Sequence, residues 1–372
     1  MAATMAAALR VVWIAHADAP GLHPDPALLR THWSAGRRLR VGIPAAWLAG
    51  AGVQQWLVSP PSTEGLRRAL EMRPDVAVVS GLYPNVDGRR DARSYFDCVD
   101  AFRGAGVPLV VDLAENHFQD FRAAEYREMI VRGDRIVVNT QALADVIAEQ
   151  SGRSAVVIGD PVEGARGEPA FDPPAVPGAI ARLTGRSTPP RPLRLLWFGG
   201  QERNYEYLRR LAPDLARFAR SLPLEIAIVT GPDRNIEADV ARWHSPAGGL
   251  AARIATWSPG VLARELQACD VVIIPSDVVA RMAASTNRIA ESIWAGRFVV
   301  ASGLPSYWQF REAAWIGDRL MAGLEWAVDN RDEVLVRIRS GQALIAGQYT
   351  PEAIGRLWQD ALVDFARTTP AG

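Results

Sequence analysis

The sequence predicts an α/β protein made of two doubly wound, Rossmann-like domains with a closing C-terminal helix. Short apolar runs alternate with longer amphipathic stretches almost from end to end, the pattern of parallel strands covered on both faces by crossover helices. The alternation breaks once, at a segment crowded with proline, glycine and arginine, and then restarts. The chain has 372 residues, 49% of them hydrophobic and 22% charged, which suits two packed cores better than one.

In the first half the candidate strands are "LRVVWIA", "VQQWLVS", "VAVVSG", "PLVVDLA", "RIVVNT" and "AVVIGD", each followed by a helical stretch or a turn. They define a first domain over residues 1–165, and the Pro/Gly/Arg-rich stretch 166–192 reads as its linker to a second. The second domain, 193–372, restarts with "RLLWFGG", "LEIAIVTG", "ARIATW", "DVVIIPS" and "RFVVAS". It is expected to end in the helix "TPEAIGRLWQDALVDFAR", with a threonine cap, proline at the first helical position and apolar spacing of three and four. Open α/β sheets bind ligands beyond the carboxyl ends of their strands, so the expected site lies in a cleft between the two domains.

Composition removes several chemistries. Basic and acidic residues balance at 41 each, so no net field points to nucleic acid. There is no lysine, which excludes a Schiff-base lysine and the lysine of a P-loop, and leaves phosphate to arginine forks and backbone amides. Cys98 and Cys269 lie far apart in apolar surroundings and read as reduced core residues, and the five histidines have no metal-binding spacing, so no metal is expected. No apolar run is long enough to span a bilayer and no signal peptide is evident at the start, which predicts a cytoplasmic protein.

The stretch "STNRIAESIWAGRFVVASGLPSY" concentrates polar side chains at the start of a helix. Ser285 or Thr286 is placed to cap it and Gly296 to stop it, so its amino end offers amides and a positive dipole to a phosphate. Asn287, Arg288 and Glu291 share one side, while Ile289 and Ile293 face the core. Glu291 either accepts from a ribose diol or pairs with Arg288 on the surface. Gly199 and Gly200 end a strand, as a phosphate approach or as a plain turn. Trp257 follows a strand as a base-stacking or a packing indole. His117 in "VVDLAENHFQD" is a sugar contact or a residue held by its acidic neighbours Asp112 and Glu115. His16 reads as structural.

Several segments together resemble the retaining glycosyltransferases of the GT-B fold, in particular glycosyltransferase family 4 (group 1). They are "RIVVNTQALADVIAEQSGRSAVVIGDPVEG", "LRLLWFGG", "WSPGVLARELQACDVVIIPS" and "NRIAESIWAGRFVVASGLPSY", and the likeness covers most of the chain. The resemblance implies transfer of a sugar, with retention, from a nucleotide-diphosphate sugar to a glycan, lipid-linked or other hydroxyl acceptor in surface-polysaccharide or glycoconjugate assembly, with no protein-bound cofactor. Of the family's two glutamates, which have seven residues between them, Glu291 matches the second, which reaches the ribose, and Ala283 stands at the first. Gly200 stands where an arginine is expected to hold the diphosphate. Arg203 is the nearest substitute, and Arg281 and Arg288 approach from the opposite loop. Gly21 is placed to approach the diphosphate from the first domain, and His117 and Glu291 are the catalytic candidates. A degenerate relative that binds nucleotide, glycan or a partner enzyme is the alternative, and a nucleotide-sugar epimerase a third reading. Finally, Arg37, Arg38 and Arg40 with Trp33 and Trp47 on one predicted helix suggest peripheral contact with the inner face of an anionic membrane.

Overall fold

The computed structural model describes residues 8–81, 92–173, 191–200, 203–243 and 250–368. Most of the expected linker, 174–190, lies outside them. The chain divides into two compact units, the first comprising Met1–Glu163, Ala283–Ser285 and Gly347–Gly372, and the second Gly164–Met282 and Thr286–Ala346.

The first unit holds β1 (Arg10–Ile14), β2 (Gly21–His23), β3 (Gln54–Ser59), β4 (Val76–Ser80), β5 (Leu109–Leu113), β6 (Arg135–Val138) and β7 (Val156–Val157) in the order β2-β3-β1-β4-β5-β6-β7. All pairings are parallel except β2 with β3. The chain runs from β1 out to β3 and returns across β1 to β4, so the winding reverses beside β1. Both faces of this sheet are covered. Val12, Ile14, Ala77 and Val79 pack into one core, and Val11, Trp13, Val76 and Val78 into another, as the alternation of side chains along a strand requires.

The closing helix forms where the sequence places it, Pro351–Thr368, with Thr350 Oγ1 accepting from the Ala353 amide at 3.2 Å. Its domain membership differs from expectation. Ile354, Trp358, Leu362 and Phe365 pack against the Trp13 face of the first unit's sheet, with the Trp358 ring edge-on to Trp13 at 5.3 Å. The apolar stripe was readable from spacing, but its target sheet is fixed by shape. Gly355 lets the helix lie on Trp47, since a Cβ there would fall 2.3 Å from the indole.

The basic helix also departs from expectation. Ala35–Arg37, a π-helical turn Arg38–Gly42 and Ile43–Gly50 run on as helix, yet Arg37, Arg38 and Arg40 are only 6%, 4% and 1% exposed. Buried arginine needs carboxylate or carbonyl partners, and Arg38 pairs with Glu163 while Arg40 pairs with Asp112 and Asp160. These three guanidiniums therefore form no membrane-facing surface.

The second unit's sheet is all parallel: β8 (Leu193–Phe198), β9 (Leu224–Thr230), β10 (Leu250–Thr256), β11 (Val271–Ile274), β12 (Phe298–Ala301) and β13 (Trp315–Ile316), in the order β10-β9-β8-β11-β12-β13. Its winding reverses between β8 and β11. Leu195, Trp197, Ile226, Ile228, Ile273 and Val300 supply its core. Cys98 and Cys269 are buried, and burial pushes the Cys269 thiol up to about 12. Among the described residues no helix is long and apolar enough to cross a membrane.

Candidate active site

In the second unit polar features gather at the carboxyl ends of β8, β9 and β10. β8 runs into Gly199 and Gly200, and the Thr230 hydroxyl at the end of β9 donates to the Gly199 carbonyl at 2.9 Å. The Trp257 amide at the end of β10 donates to the Thr230 carbonyl at 2.8 Å, and Ser258 caps the next helix. Trp257 is half-buried at this strand end. Neither Gly199 nor Gly200 has the positive φ that only glycine tolerates well. A Cβ on Gly199 would instead crowd the Trp197 ring at 3.3 Å and meet Arg288 NH1 in ordinary contact at 3.5 Å, so the guanidinium lies directly beside this glycine.

Arg288 reaches this place from the helix Asn287–Trp294, donating from NH1 to the Phe198 carbonyl at 3.4 Å. Ile289 and Ile293 are fully buried on the opposite side and Gly296, at φ 79°, terminates the turn, as the spacing predicts. The expected cap is absent. Thr286 makes no side-chain cap bond, and its buried hydroxyl has no hydrogen-bond partner among the described residues. The Ser285 hydroxyl instead donates to Asp160 within the first unit. Ser306 and Tyr307, just past β12, likewise bury hydroxyls without hydrogen-bond partners among the described residues, a feature that "GLPSY" alone does not disclose.

Glu291 Oε1 accepts the Gly164 amide at 2.8 Å, while Trp294, one turn on, donates to the Gly164 carbonyl at 3.0 Å. The carboxylate is thereby held by backbone. Asn287 is half-buried on the same helix. Arg281 lies in the turn after β11 that Asp277 organises by accepting the Val279 and Ala280 amides, both at 2.9 Å. Its buried Nε has no hydrogen-bond partner among the described residues. Arg203 opens the helix Arg203–Phe218.

In the first unit His117 sits beyond β5 and is held on both nitrogens. Nδ1 meets Asp120 Oδ2 at 2.8 Å and Nε2 meets Arg122 NH1 at 3.1 Å, with the ring edge-on to Tyr126. Because arginine can only donate, Nε2 is the acceptor and Nδ1–H donates to Asp120. Burial tends to raise Asp120, but the Arg122 amide and His117 outweigh it and hold the carboxyl below its usual range. Gly21, at φ 141°, starts β2 and has open space where a Cβ would stand.

A polar network at the strand ends of the first unit was not anticipated. Arg40 donates to Asp112, to Asp160 and to the carbonyls of Ile158 and Gly159. Ser80 completes Asp112, and Asn139 and Ser285 complete Asp160. Burial alone would lower the Arg40 guanidinium, yet the two carboxylates outweigh it and keep it charged. The sequence signal was the polar residue closing each of the successive strands, Ser80, Asp112, Asn139 and Asp160.

No protein-family model and no curated protein sequence matches the chain. Solved structures do, at the level of fold. Anabaena HepE in complex with UDP-glucose is 12% identical, with a TM-score of 0.64 over 96% of this chain and 100% of that one. A glycosyltransferase from Rickettsia africae is 10% identical, with a TM-score of 0.61 over 98% and 100%. WaaG, a glycosyltransferase involved in lipopolysaccharide biosynthesis, is 13% identical, with a TM-score of 0.57 over 95% and 99%. The chain has the GT-B fold of these structures, two of which are glycosyltransferases.

Proposed function

We propose that this protein is a glycosyltransferase that moves a sugar, with retention of configuration, from a nucleotide-diphosphate sugar to a hydroxyl acceptor in glycoconjugate or surface-polysaccharide assembly. The observation that carries the reading is Arg288, laid beside Gly199 at the carboxyl end of β8, in a fold whose solved examples include one bound to UDP-glucose. A guanidinium fork with strand-end and helix-end amides is the donor set a lysine-free chain can offer a diphosphate. These groups would stabilise the charge that grows on the departing diphosphate, the largest electrostatic demand of the reaction. Glu291, oriented by the Gly164 amide, is the carboxylate that would accept from a ribose diol. His117, fixed as acceptor at Nε2, is the candidate in the first unit for contact with the transferred sugar.

A second reading, a binding module without catalysis, is favoured by Ala283, which is 2% exposed in the first unit's core and so leaves no carboxylate where the family resemblance expects one. A single assay separates the two. Release of nucleoside diphosphate from UDP-glucose and other nucleotide sugars, with and without candidate acceptors, should be measured beside the thermal shift each nucleotide produces. Nucleotide stabilisation with turnover, reduced about a hundredfold or more in Arg288→Ala, supports transfer; stabilisation without turnover for any donor supports the binding module. Absence of any nucleotide-induced shift would remove both.

A further inference from the structure

We propose that His16, His32, Arg37 and Trp33 of the first unit form a binding site for an acidic sugar, its oxyanion held by the two imidazoles and the guanidinium and its ring laid on the indole. His16 lies two residues past β1, at the carboxyl end of the strand where the winding reverses, the position at which open α/β sheets take ligands. As the acceptor end of a transfer reaction the assignment rests on the proposed function; as an anion site it does not.

The two imidazoles here are buried and poorly matched. His32 Nδ1 is approached by the Ser34 amide at 2.9 Å and Nε2 by Arg37 NH1 at 2.6 Å. Both approaching groups are donors, and a neutral imidazole has one acceptor nitrogen, so either tautomer sets one N–H against another. The acceptor at hand is Asp18 Oδ1, 3.2 Å from Nε2, on a side chain that is 87% exposed. That carboxylate occupies a position a ligand oxyanion would take and is free to swing away. His16 is 5% exposed, and its Nδ1 has no hydrogen-bond partner among the described residues. Two donors set against one imidazole, and a second buried imidazole nitrogen left without a partner among the described residues, are a mismatch that an oxyanion accepting from protonated rings relieves.

Trp33 borders this cluster, its ring 5.3 Å from that of His32 and 5.8 Å from the Arg37 guanidinium carbon. It is 74% exposed, an unusual place for an indole. Its backbone is nonetheless fixed, because buried Arg38 donates to the carbonyls of both His32 and Trp33 at 2.8 and 2.9 Å, and Glu163 holds Arg38. An exposed aromatic face on an anchored backbone, beside a cationic donor cluster, fits a ring with an acidic substituent better than it fits a free ion. Phosphate and carboxylate share the required oxyanion.

Calorimetric titration of the full chain with a hexose monophosphate, a hexuronate, neutral hexose and inorganic phosphate tests the site. One or both sugar acids should bind at least about tenfold more tightly than the neutral sugar, and the stronger arm names the acid. Binding of the hexuronate should weaken as pH rises out of the acid range in which the two imidazoles, held low by burial and by the Arg37 charge, carry protons; Asp18 and the Arg38–Glu163 pair are the other charged groups beside them. Asp18→Asn should tighten both acids by removing the competing carboxylate. Trp33→Ala, a surface change that spares the fold, should weaken the sugar acids about tenfold while leaving inorganic phosphate unchanged. Equal affinity for neutral and acidic sugar, no binding of either acid, or indifference to both substitutions would overturn the assignment. The UDP-induced thermal shift in the same samples keeps this outcome separate: loss of acid binding with the shift intact sinks this site alone, and acid binding without any shift sinks the transferase reading alone.

Discussion

Arg40 and Asp112 form a fully buried ion pair at the carboxyl end of the first unit's sheet, NH2 lying 2.6 Å and Nε 3.2 Å from the same carboxylate oxygen. Asp160 supplies a second carboxylate at 3.0 Å, so the cluster carries one positive and two negative groups out of water. Such an arrangement is costly to break on one side only. Arg40→Ala should lower unfolding stability by about 3–5 kcal/mol, because two buried carboxylates lose their counter-charge. Asp112→Asn keeps the shape and an acceptor and should cost less. Denaturant midpoints for the two variants check the order, and equal losses would show that packing, not charge, sets the cost.

Glu291 presents a sharper separation of roles. Its Oε1 takes the Gly164 amide, a bond that a glutamine carbonyl can also accept. Glu291→Gln should therefore leave the melting temperature close to that of the parent while weakening nucleotide binding about tenfold through loss of charge at the ribose hydroxyls. Glu291→Ala should lose both. Nucleotide titrations monitored by thermal shift read the two effects together, and full nucleotide affinity in the glutamine variant would place the ribose elsewhere.

Gly355 marks the place where the closing helix touches the helix carrying Trp47. A Cβ at this position would overlap the indole at 2.3 Å, too close for a rotamer change alone to relieve. Gly355→Ala gains helix propensity, about 1 kcal/mol, but should lose about 1–3 kcal/mol to overpacking, and the net sign should be destabilising. Trp358→Ala removes a fully buried ring beside Trp13 and should cost about 3–5 kcal/mol. Chemical denaturation of both variants tests whether the helix is integral to the first unit, as these contacts require.

These contrasts show which parts of the molecule were legible in sequence. The strands were readable because parallel strands covered on both faces leave uninterrupted runs such as Val76–Val79, and the closing helix because its apolar residues repeat at three and four. The partner of that helix was not, since a stripe says that a face is buried and not by what. Arg37, Arg38 and Arg40 misled for the same reason: arginine in a helix reads as solvated until carboxylates distant in sequence, Asp112, Asp160 and Glu163, are brought to it by the winding. At the start of the helix Asn287–Trp294, local pattern predicted a cap at Ser285 or Thr286, but a distant acceptor, Asp160, took the Ser285 hydroxyl. Arg288 lies beside Gly199 at the end of β8, a neighbour far from it in sequence that no local pattern discloses.

Acid sensitivity follows from the two buried histidines of the first unit. Burial lowers His16 and His32 below their ordinary value of 6.5, and the Arg37 charge lowers both further, against a smaller raising effect of Asp18. In the unfolded chain both titrate normally, so below pH 6.5 the unfolded state holds more protons than the folded one, and stability must rise with pH through this window. Above it both states are neutral and the contribution vanishes. The protein should therefore lose stability as pH falls below 6.5, and His32→Asn should flatten that slope by removing one of the titrating groups. A phosphorylated or carboxylated sugar seated on these imidazoles favours their protonated form, so it should shrink the acid-induced loss, whereas a neutral sugar should not. Melting curves across the acid range, with and without the sugar acid, read both effects, and a slope that the ligand leaves untouched would separate the histidine titration from the binding site.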